Sequence, residues 1–300
     1  MKTLLNVVRR DLKLFFKDKG MFFSALITPI ILLVLYATFL AKVYRDSFAS
    51  ALPEGFQLSE KLLNGTVASQ LISALLAVSC VTVSFCANLL MIQDKANGSI
   101  RDFTVSPVRR STLAAGYYLA SAASTLIVTF SAFAVCLAYL AGQGWYLSVS
   151  DVLLAACDVL LLTLFGTALS SCINFFLKTN GQASAVGTIV SAGYGFICGA
   201  YMPISSYGEG LQKVLSFFPG TYGTCLLRNH MMRGVFAEME RVGFPSEVVA
   251  GIKDSIDANL SFFGKPVALS AMFAVLFGAV ILFTGIFVLL HVLRRHSKAY

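Results

Sequence analysis

Charge is what this chain has least of. Asp, Glu, Lys and Arg make up 13% of its 300 residues, about half the share in an ordinary soluble domain. It has one Trp, seven Pro and three His, and the histidines (230, 291 and 296) are scattered, the last two in a basic flank. No HExxH, no GxSxG and no GxxxxGK followed by Ser or Thr occurs, so neither a zinc protease nor a serine hydrolase is written here. The missing P-loop matters most, because it excludes ATP hydrolysis by this chain alone. Seven cysteines are present without a CxxC pair, all in or beside apolar runs. They read as small buried hydrophobes rather than as metal or redox ligands. No internal repeat, low-complexity segment or soluble domain of ordinary size interrupts the chain.

What is there is apolar sequence in blocks. Hydrophobic residues make up 57%, and the mean hydropathy is +0.77. Blocks of twenty or more are the membrane-helix pattern. The reading is an all-α polytopic membrane protein with six spans at 21–41, 67–90, 113–140, 152–176, 182–200 and 267–292. Each is long enough to cross a core of about 30 Å at 1.5 Å per residue, the fifth only just. The first is too long for a signal-peptide core and lacks a small-x-small site at its end.

Residues 3–19 precede the first span. Leu4, Leu5, Val8, Leu12, Phe15 and Phe16 share one face, with Arg9, Arg10, Lys13 and Lys17 largely elsewhere. That pattern predicts a basic amphipathic helix over residues 1–20 lying on the lipid surface.

Basic residues set the orientation. With the N-terminus inside, positions 2, 9, 10, 13, 17, 19, 95, 101, 109, 110, 178, 294, 295 and 298 fall on the cytoplasmic side, fourteen of the 23 Lys and Arg. Only Asp11, Asp18, Asp94 and Asp102 join them there, leaving nine bases against eleven acids on the other side. This asymmetry places both termini in the cytoplasm and accounts for the net charge of +8 without nucleic acid.

The loop 93–112 between spans two and three is short, polar and basic. Asn97 or Ser99 is a candidate cap for a short helix that Pro107 stops, with Phe103 and Val105 as apolar contacts for a partner. In the fifth span Ala183, Gly187, Ser191, Gly195 and Gly199 recur every four residues. Such a ridge suits close approach of a second helix, either in a dimer or gating contact or in packing within one subunit. The stretch 201–228 is apolar yet broken by Pro203, Gly208, Gly210, Pro219 and Gly220. It reads as two short helices and a turn, either re-entrant or resting on the interface. Residues 229–265 form an external segment with one amphipathic helix starting near Pro245 and Ser246. Asp158 is the one intramembrane charge, either a structural partner of a base such as Arg228 or a substrate contact. Asp151 reads as a cap, and Glu209 shares the ambiguity of Asp158 at the outer face.

The order of these elements resembles the ABC-2 family of exporter permeases, the membrane half of type V ABC transporters, over nearly the whole chain. After Asp94, GSIRDFTVSPVRRSTLAAG is similar to that family's acid–GT–L–TP–R–G pattern, with Gly98, Pro107, Arg109 and Gly116 on matching positions. FPGTYGTCLLR at 218–228 is similar to its NPLTY segment ending in Arg, through Pro219, Thr221, Tyr222 and Arg228. Ser99 stands for the usual Thr, Tyr117 for a frequent Lys, and Phe218 and Gly220 for Asn and Leu. The resemblance implies a coupling helix gripped by an ATPase, through Asp94, Gly98, Ser99, Ile100, Arg101, Asp102, Phe103, Pro107, Arg109 and Arg110. It implies an interfacial helix with Arg9, Arg10, Lys13 and Phe16, and an outer gate with Pro203, Glu209, Pro219, Tyr222 and Arg228. It further implies two permease copies, identical or sister chains, and two ATPase subunits that hold ATP and Mg while this chain binds neither. The expected cargo is a drug, antimicrobial peptide or lipid-like molecule, with a lipid-linked polysaccharide as the alternative; an ATP-independent carrier is the rival from another class. The expected location is the cell membrane, as in a bacterial inner membrane.

Overall fold

The computed structural model describes residues 2–51, 59–105 and 108–293. α1 (Lys2–Lys17) is followed by α2 (Lys19–Leu35), a π-helical turn (Tyr36–Leu40) and α3 (Ala41–Ala51), which continue as one rod. Asp18 makes the corner between α1 and α2, its carboxylate accepting the Met21 N–H at 3.2 Å as an N-cap. Then come α4 (Glu60–Ala87), α5 (Leu89–Ala96), α6 (Ile100–Val105), α7 (Arg110–Gln143), α8 (Val149–Phe176) and α9 (Asn180–Ile197). A 3₁₀ turn (Ile204–Ser206) leads to α10 (Glu209–Leu215), α11 (Pro219–Arg241) and α12 (Ser246–Ser255). A two-residue ladder pairs β1 (Ser261–Phe262) with β2 (Lys265–Pro266) before α13 (Leu269–Leu293).

Five helices among the described residues are long and apolar enough to cross a membrane: Lys19–Asp46, Glu60–Ala96, Ser111–Gln143, Val149–Phe176 and Leu269–His291. The expected fifth span, 182–200, is the helix α9 but does not join them. Its 18 residues reach only about 27 Å at 1.5 Å each, and its glycines together with Asn180 and Gln182 dilute its apolar content. Two other expected boundaries move. Span two breaks at Asn88 and extends through α5 to Ala96. α11 does not stop at Arg228 but runs on to Arg241: Pro219 sits at its first position, the helix carries Gly220, Gly223 and Gly234 within it, and no further proline follows until Pro245. α12 begins after Pro245, as the sequence predicts.

The bundle is built around α4, which packs against α2, α7, α8, α9 and α11. Hydroxyl and small residues let neighbours approach. A Cβ on Gly166 of α8 would lie 2.9 Å from Val81 Cα and 3.0 Å from Cys80 O, so α4 and α8 meet backbone to backbone there. α11 runs antiparallel to α8. Phe218, just before it, lies 6.1 Å from Phe165 between ring centroids, while Arg233 reaches Asp151 at 3.4 Å. Phe165 is 16 positions into α8, so α11 starts about 24 Å along that helix.

Candidate functional site

α1 lies across the start of α7. Gly116 permits the crossing, since a Cβ there would sit 2.5 Å from Val7 Cγ1. At 100° per residue α1 buries one face and exposes the other, where Leu5, Phe16, Arg9 and Lys13 lie within about 80° of one another. Val7, Asp11 and Phe15 are buried against the bundle; Leu5 and Phe16 are exposed apolar groups; Arg9 and Lys13 are exposed on the basic side.

Arg10, expected on the outward basic face, turns inward. It donates to both oxygens of Asp94 at 2.5 and 2.9 Å and to Asp11 Oδ1 at 2.8 Å. Tyr117 O–H donates to Asp94 Oδ2 at 2.5 Å. Asp94 is therefore not a surface contact for a partner; it is buried, and it ties α5 to α1 and α7 through charge-assisted bonds. The hydrogen bonds Arg10 donates to Asp94 raise its pKa further. Burial pushes the Asp11 carboxyl up to about 6 against the opposing pull of Arg10, and Asp11 Oδ2 has no partner. Phe103 of α6 also turns inward, with its ring centroid 5.1 Å from the Arg10 guanidinium. It packs, with Ile100 and Val108, on the cluster of Val7, Met91 and Leu113. A helix resting on the bundle hides the side chain on its inner face. Val105, 87% exposed, is left as the outward apolar group. Asn97 closes α5 rather than opening α6, and Gly98 turns the chain with φ +78°. Ser99 and Ile100 are half-buried and Arg109 is exposed. Pro107 lies outside the described residues, as do the side chains of Arg101, Asp102 and Arg110 and the basic tail from Arg294 onward.

Above this knot a polar seam joins α4, α7 and α8. Asn88 Nδ2 donates to Ser170 Oγ (2.5 Å) and Ser171 Oγ (3.0 Å), and its carbonyl accepts from Ser121 Oγ at 2.9 Å. The Thr129 and Thr163 hydroxyls lie 3.2 Å apart one layer on.

Beside the seam, α2, α4 and α9 enclose a groove open to the side. It comprises two cavities of about 400 and 520 Å³ that share Ser191 and Ala192. Tyr36, Tyr44, Gln70 and Tyr201 line the first; Thr28, Phe85, Asn174 and Gly187 line the second. Among the described residues, no Asp, Glu, Lys or Arg lines either one. At Gly187 the ridge on α9 borders space: nothing among the described residues approaches its Cβ position within 4 Å. Gly195 abuts the Tyr201 ring, and Gly199 turns the chain with φ +73°.

At the α12 end Asp158 is buried and pairs with His230 Nδ1 at 2.5 Å, not with Arg228. Two residues on a helix are separated by 200°, so Arg228 faces away from α8. It donates instead to Ile256 O and, at 2.9 Å, to Gly199 O. Asp151 forms the capping box of α8 with Ser148. Tyr222 O–H donates to Ser216 O at 2.6 Å. Pro203 precedes the 3₁₀ turn, and Glu209 is exposed, 3.9 Å from Lys213. His230 and Tyr117 carry no local sequence signal for these pairings, because partners 72 and 23 residues away supply them.

The sequence profile of the ABC-2 type transporter family matches residues 3–232, well over half of the 300. No curated protein matches the chain. An amphipathic first helix, five long apolar helices among the described residues, a short helix in the basic loop after the second of them and a P-loop-free sequence agree with that match. The chain belongs to the ABC-2 type transporter family, as a multi-pass membrane permease without ATPase activity of its own, of a kind that pairs with ABC ATPase subunits.

Proposed function

We propose that this chain is the transmembrane half of an ATP-driven exporter whose cargo is a drug, antimicrobial peptide or lipid-like amphiphile. The observation that carries the reading is the lateral groove between α2 and α9. Its two cavities of about 400 and 520 Å³ fall in the range of drug-sized sites, and tyrosine, amide and hydroxyl groups interrupt an otherwise apolar lining. A charge-free, side-opening groove suits a molecule entering from lipid better than a hydrophilic glycan chain. In this reading α9 is the fifth of six spans, 201–228 is re-entrant, and both termini are cytoplasmic. A second copy or a sister permease covers the exposed apolar side chains beside the groove, among them Ile31, Ile189 and Phe196. Two ATPase subunits, holding ATP and Mg, grip α6 and its exposed Val105, and the membrane is the bacterial inner membrane.

The test is reconstitution of the permease with its ATPase in liposomes, following ATP-dependent movement of a fluorescent phospholipid and of a lipophilic dye. Movement of either supports the proposal. ATP-dependent movement of a lipid-linked glycan alone overturns the cargo class, and movement without ATP overturns the exporter. Val105→Asp in the same complex lowers capture of the ATPase in a detergent pull-down; wild-type capture removes α6 from the interface.

A further inference from the structure

Asp94 has a neighbour whose side chain points to a different part of the bundle. A helix leaves its last four carbonyls without intrahelical partners, and α8 ends at Phe176. Lys95 Nζ donates to Asn174 O and Phe175 O, each at 3.0 Å, and to Leu177 O at 3.2 Å. The ammonium thus caps α8 where the helix dipole is negative, and it lies 5.7 Å from the Phe175 ring centroid. Past Leu177 the chain turns at once into α9. Thr179 caps α9 by accepting the Gln182 N–H at 3.2 Å, and the Lys178 N–H donates to Gln182 Oε1 at 2.8 Å. Lys95 therefore holds the corner from which the groove wall springs.

We infer that Lys95 is a positioning residue that passes movement of the α5–α6 segment to the α8–α9 corner, and so to the groove. The inference rests on the exporter reading above. Asp94 and Lys95 point to opposite neighbours, so one turn of α5 grips α1 and α7 through the first and the α8–α9 corner through the second. The chemistry suits a moving joint. An ammonium is a compact charge on a flexible stem with three rotatable donors. It can swivel among three carbonyls while the angle between α5 and α8 changes, and a residue packed by shape alone would resist that change. Without the charge, Phe175 O and Leu177 O lose this donor, Asn174 O keeps only the Leu177 N–H at 3.3 Å, and the corner is released from α5.

The experiment compares wild type, Lys95→Met and Lys95→Arg in the permease–ATPase complex. ATP hydrolysis and movement of the fluorescent phospholipid and dye are read in the same vesicles, and amide exchange is read over residues 177–183. For Lys95→Met we expect hydrolysis to persist while movement per ATP falls at least about fivefold, the lower end of ordinary coupling between sites. Exchange at 177–183 accelerates, and Lys95→Arg, which keeps the charge, recovers most of both. Wild-type movement per ATP with unchanged exchange in Lys95→Met overturns the inference. So does a parallel loss of hydrolysis and movement at constant ratio, which marks a structural residue. If wild type itself moves neither probe, the exporter reading fails; exchange at 177–183 still decides whether Lys95 holds the corner.

Discussion

α4 and α13 are both long apolar helices, yet they occupy opposite places. α13 is the more apolar of the two, and only 17% of its most apolar stretch is buried inside the protein; for α4 the figure is 89%. In water the greasier helix goes inside. In lipid the outside is already apolar, so burial follows the ability to pack closely and to hydrogen-bond between helices. α4 carries Ser69, Ser73, Ser79, Thr82 and Ser84 at buried positions, and α13 presents Phe273, Phe277, Ile281 and Leu282 outward. Hydroxyl content, not hydropathy, marks the central helix.

The sharpest way to break this contrast is a pair of glycine substitutions. Gly166→Leu drives a side chain into the α4 backbone and costs about 3 kcal/mol, the upper end for overpacking. Gly278→Leu in α13 meets nothing within 4 Å at its Cβ, so thermal unfolding in detergent shows a large drop for the first and a small one for the second. Equal drops would mean that α13 is covered as closely as α4.

The seam offers the next effect. Asn88→Leu strips partners from Ser121, Ser170 and Ser171 at once, and about 1–3 kcal/mol is lost where buried polar groups go unpaired. Thr284→Val in α13 removes only a 3.2 Å contact with the Tyr118 hydroxyl and is expected to cost about 0.6 kcal/mol, the usual worth of one such bond in lipid. Denaturation of both variants in the same micelles checks the ranking.

A third contrast lies where α5, the extension of α4, meets α1. Burial raises the Asp11 carboxyl from an ordinary 3.8 to about 6, so the folded protein holds a proton that the unfolded chain releases. The stability from this group is full below the ordinary value and is lost as pH rises through the folded one. Melting temperature should therefore decline across that window, and Asp11→Asn should flatten the decline and stabilise the docking of α1 at neutral pH. An unchanged pH profile in Asp11→Asn would assign the dependence to another group.

The elements that could be read directly are those determined by neighbouring residues. The apolar runs, the helical character of 3–17, the start of α12 after Pro245 and the capping role of Asp151 all depend on contacts within a few positions, where length, helical periodicity and turn chemistry decide. The far end of α11 is not legible, because the polar residues after Arg228 end the apolar signal while the helix continues to Arg241. α9 fell short of a clear span because its glycines weaken the apolar signal that length alone suggested.

Tertiary structure decided which way each side chain faces. A helix is fixed in extent by its own sequence, but its rotation about its axis is set by the neighbours it packs against. That rotation turned Arg10 and Phe103 inward, buried Asp94 between α1 and α7, gave Asp158 to His230 instead of Arg228, and brought Lys95 to the end of α8. The Arg10–Asp94 and His230–Asp158 pairs and the Lys95 cap join residues 72 to 84 positions apart. Over such separations the chain carries no periodicity to read, and only close packing selects the partner.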